Sequence, residues 1–145
     1  MTMEFRQVNE DNFKECVGLS VRDDQPFVAT NIKSLAQAAI NPEAVPRAIY
    51  ADGTMVGFLM YIVDRGSGEL YLWRFMIDQR YQGKGYGTAA LGLLERMARA
   101  EPGIVRIKLS TEPSNSNGIK VYSSVGFVDA GILEDDEEVF IKELR

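Results

Sequence analysis

A chain of 145 residues, 46% apolar, 26% charged and 10% aromatic, has the composition of an ordinary globular protein and enough length to bury the core of one domain, residues 1–145. Its 16 Lys and Arg against 21 Asp and Glu give a net charge of −5, which weighs against nucleic-acid binding and suits a cationic small substrate. With no histidine and Cys16 as the single cysteine, imidazole-based triads, most zinc sites and internal disulfides are excluded.

No apolar run reaches the roughly 18–20 residues of a membrane span, and Met1-Thr2-Met3-Glu4-Phe5 lacks the pattern of a signal peptide, so a cytoplasmic protein with no membrane partner is expected. Cys16, among Phe13, Val17 and Leu19, reads as a small buried hydrophobe. Acid–base chemistry is thereby left to carboxylates, tyrosine, lysine or water.

In chain order, Glu4 to Val8 alternates like a short strand, and Asn9 or Asp11 is placed to cap a helix over Phe13 to Val21. Asp23-Asp24-Gln25-Pro26 breaks that helix, and Phe27 to Ile40 reads as a second one, ended by Asn41-Pro42. Ala48 to Ala51 and Met55 to Val63 are strands around the hairpin signal Asp52-Gly53. Gly66-Ser67-Gly68 turns the chain into a further strand ending at Ile77, and a helix covers Thr88 to Ala100. Ile104 to Leu109 is the next strand and Asn115 to Val125 a short helix, with Gly126 suited to a left-handed C-terminal cap. Phe127 to Ile132 and Glu138 to Leu144 close the chain as a strand pair. This order predicts an α+β fold with a mixed, mostly antiparallel sheet.

The strand ending at Ile77 passes into Arg80-Tyr81-Gln82-Gly83-Lys84-Gly85-Tyr86-Gly87 and then into a helix. A strand that turns through alternating glycines into a helix leaves backbone N–H groups unpaired, with the positive end of the helix dipole behind them. That is a cradle for phosphate. No Gly-x-x-x-x-Gly-Lys-Ser/Thr run is present, and glycines 83, 85 and 87 fall one residue short of the dinucleotide fingerprint. A tight turn alone would need one left-handed glycine, not three.

Gln82-x-x-Gly85-x-Gly87, with Asn115-x-x-Gly118-x-x-x-Tyr122-x-x-x-Gly126-Phe127 downstream, resembles the GNAT acetyltransferases over nearly the whole chain. Gly118 stands where alanine is usual in that family. The resemblance implies the GNAT fold, a central sheet of about seven strands flanked by about four helices. It also implies acetyl-coenzyme A as co-substrate, no metal, and direct attack by an amine in a ternary complex. By position, the amides of Gly83, Lys84, Gly85, Tyr86, Gly87 and Thr88 would hold the pyrophosphate, with Gln82 in the same loop. The edge Phe75-Met76-Ile77 would pair with the pantetheine arm. Lys84 has two readings, phosphate contact and solvation. Tyr122 takes the family's general-acid position, against the alternative of a core tyrosine. Asn115 would cap its helix and contact the coenzyme.

For the base, Glu69 is the one carboxylate in its strand. It shares odd parity with Tyr71, Trp73 and Phe75 but lies near the outer end of the strand, where a plain surface glutamate is the other reading, with a water chain to backbone carbonyls as the base instead. Leu72 to Gly85 and Gln25-Pro26-Phe27-Val28-Ala29-x-Asn31-x-x-Ser34-Leu35-Ala36 look like the bacterial spermine/spermidine acetyltransferase branch, which often has Asp where this chain has Trp73. Tyr71 and Trp73 would then hold an acceptor ammonium by cation–π contact. Asp23 and Asp24 would supply carboxylates at the acceptor mouth or simply end a helix. Glu134 to Glu138 reads as a solvated hairpin tip, with a polycation-binding rim as the other reading. The acceptor class is a small cationic amine such as a polyamine; a protein N-terminus, an amino acid, an antibiotic amine or a non-catalytic acyl-coenzyme A sensor are the alternatives. The prior for assembly is a two-fold homodimer.

Overall fold

The computed structural model describes residues 1–25 and 29–145. In order, the elements are β1 (Met3–Arg6), α1 (Phe13–Gly18), α2 (Asn31–Ile40), β2 (Ala44–Ala51), β3 (Thr54–Asp64), β4 (Glu69–Ile77), α3 (Tyr86–Ala100), β5 (Arg106–Thr111), α4 (Ser116–Ser124), β6 (Val128–Glu134) and β7 (Glu137–Glu143). The seven strands form one sheet in the order β1-β2-β3-β4-β5-β7-β6. Only β4 and β5 run parallel, so the mixed, mostly antiparallel sheet read from the sequence is present.

Local chemistry accounts for most element boundaries. Asp52 and Gly53 both take positive φ (49° and 83°), the primed turn whose twist matches the strands it joins. Asp135 and Asp136 do the same between β6 and β7, at 49° and 64°. Helix α2 starts at Asn31 rather than Phe27 because Thr30 is extended and its hydroxyl accepts from the Lys33 N–H at 3.2 Å. Residues 27–28 of the predicted helix, and 26–28 of the polyamine-branch motif, lie outside the described residues. Helix α1 ends at Gly18, three residues before the predicted Val21.

Strand β2 begins at Ala44, four residues before the predicted start, and contains Pro46. The strand tolerates it because β1 pairs only with Ala48–Ala51. Beyond that, β2 is an edge on one side, and the missing proline N–H costs no ladder bond.

Helices cover both faces of the sheet. On one face Leu59, Tyr61, Leu70, Leu72 and Ile77 pack with Ala90, Leu91 and Leu94 of α3 and Tyr122 of α4. On the other, Tyr50, Met55, Phe58, Met60 and Met76 pack with Cys16 of α1, with Leu35 of α2 beside them. Cys16 is fully buried and burial pushes its thiol up to about 11, so it is inert as a nucleophile. No helix among the described residues is long and apolar enough to cross a membrane.

Two features of β4 open the sheet at its centre. First, its ladder with β3 slips: Arg74 pairs with Met60 but Leu72 with Tyr61, leaving Trp73 as an extra, unpaired residue. Second, its parallel pairing with β5 runs only from Glu69–Arg106 to Leu72–Leu109. Past that point the strands part, and the edge of β4 from Trp73 to Ile77 is left without a partner on that side.

Candidate active site

Two cavities open where β4 and β5 separate. One, of about 440 Å³, is lined by Phe75, Met76 and Ile77 on the free β4 edge, by Gln82, Gly83 and the residues from Gly85 to Thr88, and by Asn115, Lys120 and Tyr122. The other, of about 550 Å³, is lined by Tyr71, Trp73 and Arg74 of β4, Ser110 of β5, Glu112, and Glu134, Asp135 and Glu137 of the β6–β7 hairpin. Phe75, Asn115 and Tyr122 border both, so the cavities meet there.

The glycine loop owes its shape to backbone freedom. Gly83 and Gly85 have φ of 76° and 87°, and Gly85 is the N-cap of α3. No atom lies within 4 Å of where a Cβ would stand on either, so both face open space. The Gln82 amide fastens the loop to the strand it leaves, donating to the Ile77 carbonyl at 2.9 Å and to Gln25 at 3.0 Å. Behind it, the buried Asp78 carboxylate accepts from the Ser20 N–H at 2.9 Å, the Arg80 N–H at 3.1 Å and the Arg80 Nε at 2.7 Å. Burial alone would raise the Asp78 pKa, but Arg80 and the two backbone donors hold it below the ordinary carboxylate value. The N-terminal end of α3, with its unpaired N–H groups, thus faces a fixed concavity.

On the opposite wall, Asn115 caps α4: its Oδ1 accepts from the Gly118 N–H at 3.1 Å and its Nδ2 donates to Thr111 at 2.9 Å. The departure at Gly118 has a cause here. A Cβ there would stand 2.4 Å from the Asn115 Nδ2, so glycine lets the amide fold over the helix end. One turn further, Tyr122 is buried with its ring 6.3 Å from Phe75 and 6.0 Å from Phe127. Burial pushes its phenol up to about 12.

The structure brings most of the predicted site residues together and separates a few. Phe75, Met76, Ile77, Gln82, Gly83, Gly85, Tyr86, Gly87, Thr88, Asn115 and Tyr122 line one cavity, and Tyr71 and Trp73 the other. The Lys84 side chain lies beside the Tyr81 ring, with Nζ 6.0 Å from its centroid, and lines neither cavity. Glu69 is at the far end of β4, 4.0 Å from Arg106, and borders neither cavity. Its predicted common face with Phe75 fails because the bulge at Trp73 shifts the alternation: Glu69 and Tyr71 are on the face opposite Leu70, Leu72, Phe75 and Ile77. Asp24 pairs with Arg22 at 3.4 Å, and neither it nor Asp23 lines a cavity among the described residues.

Residues that were not picked out as site residues also enter. The hairpin tip, read as solvated, turns Glu134, Asp135 and Glu137 into the second cavity. Ser110 sits between Tyr71 (3.2 Å) and Glu137 (3.1 Å). Arg74 reaches Gln37 at 2.9 Å and the Trp73 carbonyl at 3.1 Å, with its guanidinium 5.2 Å from the Trp73 ring centroid; its buried Nε has no partner among the described residues. Burial lowers its pKa, against the pull of Tyr71 and Glu137. One side of the indole therefore already carries a cation.

Residues 7–127 match the model of the acetyltransferase (GNAT) family. The chain is 33% identical over 153 aligned positions, 99% of its own length and all of the relative's, to a spermine/spermidine N(1)-acetyltransferase of Bacillus subtilis. Among solved structures it superposes on an aminoglycoside acetyltransferase in complex with coenzyme A (TM-score 0.80, 16% identity, 98% of this chain and 95% of the other). It also superposes on the spermidine N-acetyltransferase of Vibrio cholerae in complex with coenzyme A and spermine (TM-score 0.73, 14% identity, 98% and 95%).

Proposed function

Because this chain belongs to the GNAT family and is an acetyl-CoA-dependent N-acetyltransferase, we propose that its acceptor is a polyamine and that the two cavities divide donor from acceptor. Residues 1–145 are read as one domain of this fold. The observation that carries the division is the meeting of the cavities at Phe75, Asn115 and Tyr122.

In this reading the amides from Gly83 to Thr88 hold the pyrophosphate of the coenzyme, and the free edge Phe75-Met76-Ile77 pairs with its pantetheine arm like an added strand. The open concavity at Gly83 and Gly85 leaves room for phosphate oxygens to approach the backbone. The thioester then falls at the junction, where the amine attacks directly and the departing thiolate takes a proton from Tyr122. A phenol with a pKa near 12 stays protonated at every pH at which the enzyme would be assayed. Polyamine as acceptor is supported by the full-length likeness to the Bacillus enzyme and by four carboxylates, Glu112, Glu134, Asp135 and Glu137, in the lining of the second cavity. Lys33 and Arg74 in the same cavity favour a second reading, an amine that also carries a carboxylate.

Thiol release with a panel of polyamines, monoamines and diamino acids decides between them. Polyamine acceptance is expected, and efficient use of the diamino acids alone would select the second reading. With the best acceptor, Tyr122→Phe should lower kcat by about 10²-fold or more, by a constant factor between pH 7 and 10. Unchanged turnover in that variant removes Tyr122 as the acid.

A further inference from the structure

The acceptor reaches the enzyme as an ammonium and reacts as an amine. A primary amine with a pKa near 10.4 is neutral in about one molecule in a few thousand at pH 7. Something in the acceptor cavity must take that proton, and Glu69 lies outside the cavity.

One hydrogen-bonded chain runs from the cavity wall to a carboxylate. The Ser110 hydroxyl donates to Glu137 Oε1 at 3.1 Å and lies 3.2 Å from the Tyr71 hydroxyl. A serine hydroxyl has one hydrogen to give. Since Glu137 takes it, the Tyr71 hydroxyl is the donor in the other bond. The direction is therefore fixed: Tyr71 to Ser110 to Glu137. Three strands supply the members, β4, β5 and β7, and all three residues line the cavity that also holds Tyr122 and Phe75.

We propose that Tyr71, Ser110 and Glu137 are a proton relay that draws the proton from the acceptor ammonium before it attacks; this rests on reading the second cavity as the acceptor site. As the ammonium N–H gives its proton to the Tyr71 oxygen, Tyr71 passes its own to Ser110 Oγ, and Ser110 passes its own to Glu137. The net change is ammonium plus carboxylate to amine plus carboxylic acid. Both hydroxyls are restored, and Glu137, partly exposed beside the hairpin tip, returns the proton to solvent. Tyr71 is the catalytic residue of the three, and Ser110 and Glu137 act through it.

The charges around Glu137 suit this use. Arg74 of β4 and Lys33 of α2 share its cavity, as do Glu112, Glu134 and Asp135. Lys108 of β5 is engaged by Glu134 at 2.7 Å, and Glu137 itself has no ion-pair partner among the described residues.

The test is the pH profile of kcat/KM for Tyr71→Phe, Ser110→Ala, Ser110→Thr and Glu137→Gln, measured from pH 7 to 10 with spermidine, spermine and a panel of other amines. At pH 7, Tyr71→Phe, Ser110→Ala and Glu137→Gln should each lose about 10²-fold. The deficit should close to a few-fold near pH 10, where solution supplies the neutral amine. Ser110→Thr, which keeps the hydroxyl, should stay within a few-fold throughout, and the KM for acetyl-CoA should hold in all four. A deficit that stays constant across the pH range marks a structural role and overturns the relay, as does a Glu137→Gln enzyme that keeps the wild-type rate at pH 7. Either result, with polyamines still acetylated by the wild type, leaves the acceptor reading standing. A wild type that uses other amines and no polyamine sinks the acceptor reading, and the same pH comparison with the amine it does use then decides the relay.

Discussion

At Asp78 one carboxylate ties three parts of the chain together. It is 2% exposed and accepts from Ser20, in the segment after α1, and from the backbone and side chain of Arg80, ahead of the glycine loop. Hydrogen bonds to a charged acceptor contribute about 1.5–3 kcal/mol each. Asp78→Asn keeps the shape but loses the charge, and should destabilise the fold by about 2 kcal/mol at pH 7. Because the folded-state pKa is depressed, the stability Asp78 contributes is present above the ordinary carboxylate pKa, near 4, and is lost as pH falls below it. Urea midpoints should therefore separate wild type from variant at pH 7, and the gap should narrow progressively as pH falls below 4. A gap that persists unchanged at pH 3 would show that the charge is not the source. The sequence displayed Asp78 inside a family-like stretch without revealing this role, since burial and the Ser20 contact depend on a residue 58 positions away.

Elements whose signals are local were readable in advance, and those set by a neighbour were not. Asp52-Gly53, the Asn115 cap and the glycine entry to α3 each carry their geometry in a few adjacent residues. The bulge at Trp73 does not. It exists because β3 pairs with Leu72 and then Arg74, and a stretch apolar on both faces, Leu70 to Ile77, has no alternation to betray the slip. Parity carried through it put Glu69 and Phe75 on one face, and the structure puts them on opposite faces. The same pair of strands holds a second constraint. Gly57 of β3 lies so close to β4 that a Cβ would stand 2.3 Å from the Met76 carbonyl oxygen and 3.3 Å from the Ile77 Cα. Both are backbone, so β4 itself would have to move. Gly57→Ala should cost about 1–3 kcal/mol of stability by overpacking. It should also raise the KM for acetyl-CoA several-fold, because Met76 and Ile77 line the cavity proposed for the donor. A variant of wild-type stability and KM would mean that the two strands have slack at this point.

Across the whole molecule, the sheet is two blocks, β1–β4 and β5-β7-β6, joined by a parallel ladder of four residue pairs. The blocks separate beyond Leu72 and Leu109, and the cavity proposed for the donor is walled by Phe75, Met76 and Ile77 of β4 and by Asn115 and Tyr122, at the cap of and within α4, the helix that follows β5. A ligand that fills the gap binds only the folded arrangement, so by mass action it should stabilise by about 2.7 kcal/mol at a hundredfold excess over its Kd. For a chain of this size that is a rise in Tm of roughly 5–11 °C. The cradle makes the claim specific. Gly85 sits at a φ of 87° with open space where a Cβ would go, so Gly85→Ala meets no protein atom. What it meets is the left-handed backbone penalty, about 1–2 kcal/mol, and a methyl group standing in the concavity. The variant should therefore melt a few degrees lower without ligand, and coenzyme A at the wild-type excess should give it little of the rise seen for wild type. Equal rises in the two proteins would place the pyrophosphate somewhere other than the glycine loop, and no rise in either would mean that the gap between the blocks is not the donor site.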